Sequence, residues 1–267
     1  MIAAVLQLNS SGNVGVNLSH AERLIGEAAW AGAGFIATPE ATPYLGPISR
    51  KAAQAEPLDG YISSRFASMA RAFEVYLLLG SFNESSPEVG KCYNTSVLYS
   101  PEGEILAVYR KIHLFDVDIK EGPRVHESAL VLPGKEIVVA DEVLGGLGLS
   151  ICYDLRFGEL YRKLVDRGAK TIAVPAAFTA KTGRAHWEVL LRARAIESQC
   201  YILAPAQFGP HSDEHLKESY GHAMIIDPWG RVLSEVESGE GFAIANIDLD
   251  LVDAVRAGIP LAAHHRI

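Results

Sequence analysis

Three side chains of reactive type close three apolar segments of the chain: Glu40 ends FIATPE, Lys111 ends ILAVYRK and Cys152 ends LGLSIC. Each segment is short, aliphatic and bounded by Gly, Pro or polar residues, which is the pattern of a buried strand. Ligands of α/β proteins bind beyond the carboxyl ends of strands, where side chains project into a crevice. A cysteine that attacks an acyl carbon needs a base for its proton, a nearby cation and a donor for the developing oxyanion. A Glu, a Lys and a Cys supply all three. Spacing alone does not bring them together, so plainer readings stay open. Cys152 suits a buried core, Glu40 a solvated strand end, and Lys111, beside Arg110, an exposed cation. A rival arrangement pairs Cys152 with His113 or His186, as in other cysteine hydrolases.

Other catalytic patterns are missing from the sequence: there is no G-x-S-x-G, no G-x-x-x-x-G-K-[ST] and no H-E-x-x-H. His126-Glu127 lacks a second histidine four residues on, and Gly145-Gly146-Leu147-Gly148 precedes a strand where a dinucleotide loop would follow one. His264-His265 reads as an exposed basic end, and Cys92 and Cys200 as structural. Three widely spaced cysteines form neither a disulfide framework nor a metal motif, which points to a reducing, cytoplasmic compartment.

The elements that must position these residues alternate strand and helix. Residues 2–8 read as a strand, and Ser19 with Glu22 as a capping box opening a helix through Ala21, Leu24, Ile25 and Ala28. Strands are predicted over 35–38, 75–82, 93–99 and 105–111, with a helix over 61–73. Ser100-Pro101-Glu102-Gly103 makes a hairpin turn. Residues 114–136 carry no periodicity, and Gly122-Pro123 and Pro133-Gly134 mark them as a long loop of the kind that carries function. Strands over 147–152, 171–174 and 201–206 follow, with helices over 159–167 and 186–200. The last helix places Val189, Leu190, Ala193, Ile196 and Cys200 along one side. Asp227-Pro228-Trp229-Gly230 repeats the x-P-x-G turn, and a strand over 242–247 leads to a short helix over 251–257. The repeated hairpin hints at a duplicated sheet layout, and no linker divides the chain, so residues 1–267 read as one α/β domain.

Composition narrows the partners. With 24 Lys+Arg against 32 Asp+Glu, the formal net charge of -8 argues against nucleic acid, which needs a positive footprint. Apolar runs break well short of the roughly 18 residues a membrane span requires. The start, MIAAVLQLNSSG, lacks a basic leader and reads as a strand, so no secretory signal is expected.

The segments GAGFIATPEA, YRKIHLFDVDI and SICYDLRFGEL resemble, in order, the three signature blocks of the nitrilase superfamily of carbon–nitrogen hydrolases. The resemblance runs on through AHWEVLLRARAIESQCYILAPAQFG, SYGHAMIIDPWGRVL and GIPLAAHHR. It implies a four-layer α-β-β-α sandwich assembled as homodimers or larger homo-oligomers, with neither metal nor cofactor. It also implies roles: Cys152 as nucleophile, Glu40 as general base, and Lys111 with the backbone N–H of Tyr153 as oxyanion donors. Glu127, in HES, matches a second glutamate that orients substrate or assists protonation. Arg156, in CYDLR, matches an arginine near the substrate carboxylate in related carbamoylases; a salt bridge to Asp154 or Glu159 is its plainer reading. Gly158 stands where relatives usually carry Pro, which loosens the turn after the nucleophile. The nearest branches imply a thiol amidase that releases ammonia from a small carboxylate-bearing amide such as deaminated glutathione. Amides of 2-oxo acids are the alternative, followed by carbamoyl amino acids and nitriles, with a non-catalytic binding protein last.

Overall fold

The computed structural model describes residues 1–120, 124–211 and 217–266; the turn expected at Gly122-Pro123 lies outside the described residues. The chain opens on β1 (Ile2–Leu8), α1 (Val14–Trp30) and β2 (Phe35–Ala37). Then come α2 (Tyr61–Phe73), β3 (Tyr76–Ser85), β4 (Cys92–Tyr99) and β5 (Ile105–Arg110). A small ribbon of β6 (Asp116–Asp118) and β7 (Arg124–His126) leads to β8 (Val139–Ala140), β9 (Leu147–Leu149), α3 (Gly158–Asp166) and β10 (Thr171–Ala173). Next are α4 (Ala180–Ser198), β11 (Tyr201–Ala204), β12 (Ala206–Pro210), β13 (Glu218–Tyr220), β14 (Met224–Ile226) and β15 (Val232–Glu235). β16 (Gly241–Asn246), α5 (Leu249–Gly258) and α6 (Leu261–His264) follow.

Two sheets result. One runs β13-β12-β1-β2-β3-β4-β5, with β16 also paired to β1; the other runs β15-β14-β11-β10-β9-β8. Each is built on three parallel strands, β1 to β3 in one and β9 to β11 in the other, and each is extended by an antiparallel hairpin. Those hairpins are the two x-P-x-G turns: the Gly103 N–H donates to the Ser100 carbonyl at 2.8 Å, and the Gly230 N–H to the Asp227 carbonyl at 2.9 Å. The duplicated layout read from the turns is present.

Alternate residues of one strand go to different cores, as the two-residue period of a strand dictates. Ala4, Leu6, Ile36, Leu77 and Leu79 pack with Leu24, Ile25, Phe66 and Met69 of α1 and α2. Ala3, Val5, Phe35, Ala37 and Leu78 instead join a second cluster with Leu149, Ile172 and Leu203 of the other sheet, and with Leu164, Trp187 and Leu191 of α3 and α4. Helices, sheet, sheet and helices are thus stacked as an α-β-β-α sandwich, and strands covered on both faces read as continuous apolar runs.

Four expectations are corrected. Helix α1 starts at Val14, because Asn13 is already a good cap: its side chain accepts the Val16 N–H at 3.2 Å. Ser19 lies inside the helix, its hydroxyl donating to the Gly15 carbonyl at 3.0 Å. Helix α4 starts at Ala180 and buries Trp187, Leu191, Arg194 and Ala195, while Val189 is 67% and Ile196 50% exposed. Its orientation follows Arg194, whose Nε donates to the Leu155 carbonyl at 2.9 Å and whose guanidinium covers the Tyr161 ring. Residues 114–136 are not structureless, since β6 and β7 pair there. Residues 201–206 are two strands in different sheets. Pro205, having no N–H for a ladder, is the crossing point, and its carbonyl takes the Ala176 N–H at 3.0 Å.

Candidate active site

Glu40 leaves the end of β2 because β3 presses on the backbone before it. The Gly80 N–H donates to Thr38 Oγ1 at 3.0 Å and the Ala41 N–H to Ser81 Oγ at 2.8 Å, where the β3–β4 register is broken by a bulge. Only glycine fits: a Cβ at Gly80 would stand 2.0 Å from the Thr38 oxygen and 2.3 Å from the Pro39 oxygen. Gln207 of β12 donates to the Glu40 carbonyl at 3.0 Å, so the carboxylate projects from a backbone tied on two sides. Lys111 follows β5. Its N–H donates to the Asn94 carbonyl at 2.9 Å, and its own carbonyl accepts the Gly134 N–H at 2.8 Å.

Strand β9 stops at Leu149, and Cys152–Arg156 is a tight 3₁₀ turn instead of the strand end the sequence suggested. Cys152 has φ +48°, a left-handed conformation rarely adopted by a residue with a side chain. The turn is held by fully buried Asp154. Its carboxylate accepts the Ile151 N–H at 2.9 Å, the Tyr109 hydroxyl at 2.6 Å and the His113 N–H at 3.0 Å. His113 Nδ1 also meets it at 2.7 Å, and the His113 ring stacks on Phe157 at 3.7 Å. Tyr109 and His113 flank Lys111 by two residues on either side. One carboxylate therefore joins the lysine strand end to the cysteine turn.

The charged groups meet in a buried cluster. The Lys111 ammonium donates to Glu40 Oε1 at 3.0 Å and to Glu127 Oε2 at 2.9 Å. Glu40 Oε1 also accepts from Asn94 Nδ2 at 2.9 Å and Oε2 from the Ala177 N–H at 2.9 Å. Glu127, in the 3₁₀ turn after β7, also accepts the Phe115 N–H at 2.7 Å. Lys111 is 2% exposed and Glu40 6%, so neither the exposed-cation nor the solvated-end reading holds. Burial by itself lowers the Lys111 ammonium, but Glu127 and Glu40 outweigh it and hold the group well above its ordinary range. Burial opposes the Glu127 charge; Lys111, Lys51 and the Phe115 N–H prevail and pull its carboxyl down to about 2. Cys152 goes the other way. Burial and the adjoining Glu40 carboxylate push its thiol well up, with Lys111 only partly compensating.

Glu40, Lys111, Glu127, Cys152 and Tyr153 all line one cleft, whose empty space of about 730 Å³ includes open solvent at its mouth. Its apolar walls come from Leu45 and Ile48, from Phe115 and Val125 of the ribbon region, and from Phe178. Arg156 does not line it. Its guanidinium lies 5.2 Å over the Phe178 ring and 5.8 Å over the Tyr153 ring, with His186 Nδ1 at 3.3 Å, and it bridges to neither Asp154 nor Glu159. His113 meets Asp154 and His186 meets Arg156, and among the described residues lining the cleft Cys152 has the Glu40 carboxylate beside it and neither histidine. Among the described residues, His264-His265 joins no cluster of three metal-ligating side chains. Asn94, Asp154, Gln207 and Lys51 escaped the sequence reading. Asn94 had left one signal, a polar residue inside an apolar strand.

The chain belongs to the carbon–nitrogen hydrolase family, which matches residues 2–257, and it is an amidase-type hydrolase of carbon–nitrogen bonds other than peptide bonds. It is 45% identical over 266 residues to the deaminated glutathione amidase of Synechocystis sp. (strain PCC 6803 / GT-S), covering 98% of this chain and 97% of that one. The C. elegans NitFhit structure superposes with a TM-score of 0.90 at 36% identity, over 99% of this chain and 65% of NitFhit. A Nesterenkonia sp. amidase, in which acrylamide has added to the active-site cysteine, superposes with a TM-score of 0.79 at 26% identity, over 98% of this chain and 99% of that one.

Proposed function

We propose that this chain is a thiol amidase that hydrolyses a small carboxylate-bearing amide, of the deaminated-glutathione kind, to the acid and ammonia. The observation that carries the reading is the buried Glu40–Lys111–Glu127 cluster facing Cys152 in one cleft. Glu40 takes the thiol proton as Cys152 Sγ attacks the amide carbon, which answers the raised resting thiol. The oxyanion is met by the Lys111 ammonium and the Tyr153 N–H, which belongs to the first turn of the 3₁₀ segment, where amides have no intrahelical acceptor. The proton passes from Glu40 to the departing nitrogen, the C–N bond breaks, and ammonia leaves a Cys152 thioester. Glu40 then takes a proton from water, whose oxygen attacks the thioester; the C–S bond breaks, and the acid and the thiol are restored. Glu127 keeps Lys111 aimed at the reacting oxygen, and Arg156 braces the Tyr153 and Phe178 rings that wall the substrate.

An ammonia-release screen over short amides, with and without a 2-oxo group, tests the substrate class. Cys152→Ala is expected to lower release by at least about 10³-fold while thermal unfolding is unchanged; full residual release would sink the mechanism. We further infer that residues 1–267 act as one domain, that the chain pairs as a homodimer, and that it works in the cytoplasm. Exposed Val189 and Ile196 on α4, with Gly230 of the repeated turn against Ile196 and Trp229 exposed next to it in the chain, support pairing, and the need for a reduced Cys152 supports the compartment. Recovery of the chain in a membrane or secreted fraction would reverse the last.

A further inference from the structure

The charges in the cleft do not balance without a residue that the catalytic reading leaves unused. Lys111 is shared between Glu40 and Glu127, so that trio carries one net negative charge. Substrate carboxylate brought to the cleft meets that negative charge, and Lys111 has two of its three donors turned to the glutamates, with the third kept for the oxyanion. Among the described residues, Lys51 is the other cation lining the cleft. It sits half-buried between the 3₁₀ turns Ile48–Arg50 and Ala52–Gln54, on the wall formed by Leu45 and Ile48. Its backbone is fixed at both ends: the Lys51 N–H donates to the Ile48 carbonyl at 3.1 Å, and the Gln54 N–H to the Lys51 carbonyl at 3.1 Å. Among the described residues it makes no ion pair, yet its charge reaches Glu127, whose carboxyl it helps to hold down.

We propose that Lys51 is the specificity residue of the cleft: its ammonium takes the carboxylate of the substrate while the amide lies at Cys152. This rests on the amidase reading for where the amide lies. Lys51 would offset the charge of the substrate carboxylate, and the rigid turn would set the distance between charge and reacting carbon, and so the chain length accepted. Arg156 is the competing cation. It lies outside the lining, and its guanidinium is occupied with two aromatic rings.

The test compares two probes of equal length, glutaramate with one carboxylate and glutaramide with none, by calorimetric binding to the Cys152→Ala chain, which turns over neither. The Cys152→Ala chain is expected to prefer glutaramate by about tenfold or more. Adding Lys51→Ala removes the preference, adding Lys51→Arg keeps most of it, and adding Arg156→Ala leaves it in place. A preference that survives Lys51→Ala, a preference lost through Arg156→Ala, equal weakening of both probes, or no binding of either at millimolar concentration would each overturn the assignment. Ammonia release by the unsubstituted chain is scored separately. If release occurs and the preference ignores Lys51, only this inference falls; if the preference needs Lys51 but no amide is turned over, only the reading of the reaction falls.

Discussion

Lys111 shows how far a side chain can depart from its usual role when its surroundings are completed. Moving an ammonium out of water is costly, and it is stable here because two carboxylates, themselves capped by Asn94, the Ala177 N–H and the Phe115 N–H, surround it. The cluster is therefore unforgiving. Lys111→Met leaves two buried carboxylates without their cation and is expected to destabilise the chain by about 3–5 kcal/mol in urea unfolding. Adding Glu127→Gln should return part of that stability without returning ammonia release, because one of the stranded charges is gone while the oxyanion donor stays absent. If the double variant is no more stable than Lys111→Met alone, the two groups are not coupled as the distances imply.

Elements set the positions that these residues need, and they do so by close backbone approach. The β3 bulge at Gly80 and the Asp154-held turn after β9 are both local irregularities beside the cleft, where a regular ladder would have pointed the side chains elsewhere. Gly80→Ala puts a methyl against the Thr38 and Pro39 carbonyls, which the backbone relieves only by moving Glu40. The expected result is a drop in kcat of about 10²-fold, since a displacement near 1 Å is enough for that, with unfolding shifted by only about 1–3 kcal/mol. Ammonia release at the unsubstituted rate would mean that the bulge is not what places Glu40.

At the scale of the whole molecule, α4 turns its buried side toward α3 through Arg194 and leaves Val189 and Ile196 outward, with Ile196 against Gly230 of the repeated turn. Pairing through this face predicts light scattering at twice the chain mass and a shift towards one chain on Val189→Glu with Ile196→Glu; a single-chain mass before substitution would end the proposal. Periodicity had assigned those residues inward, because a lone helix of mixed character does not reveal that a buried arginine outweighs two aliphatic side chains. Much else was legible in the linear chain. The apolar segments, the x-P-x-G turns and the order Glu40, Lys111, Cys152 all rest on local chemistry: β-branched runs, the fixed φ of proline and the blocks that resemble a family. The Pro205 crossing between sheets, the left-handed Cys152 and the ribbon leading into the turn that carries Glu127 were not legible. Nor was the division of cations into Lys111 in the cluster, Lys51 on the wall and Arg156 over the rings. These depend on which surfaces residues 40, 111, 127 and 152 share after the sheets stack. The sequence by itself determined which groups could react, since residue type sets intrinsic chemistry; only the tertiary structure decided their charge and partners, because burial and contacts across the sandwich set those.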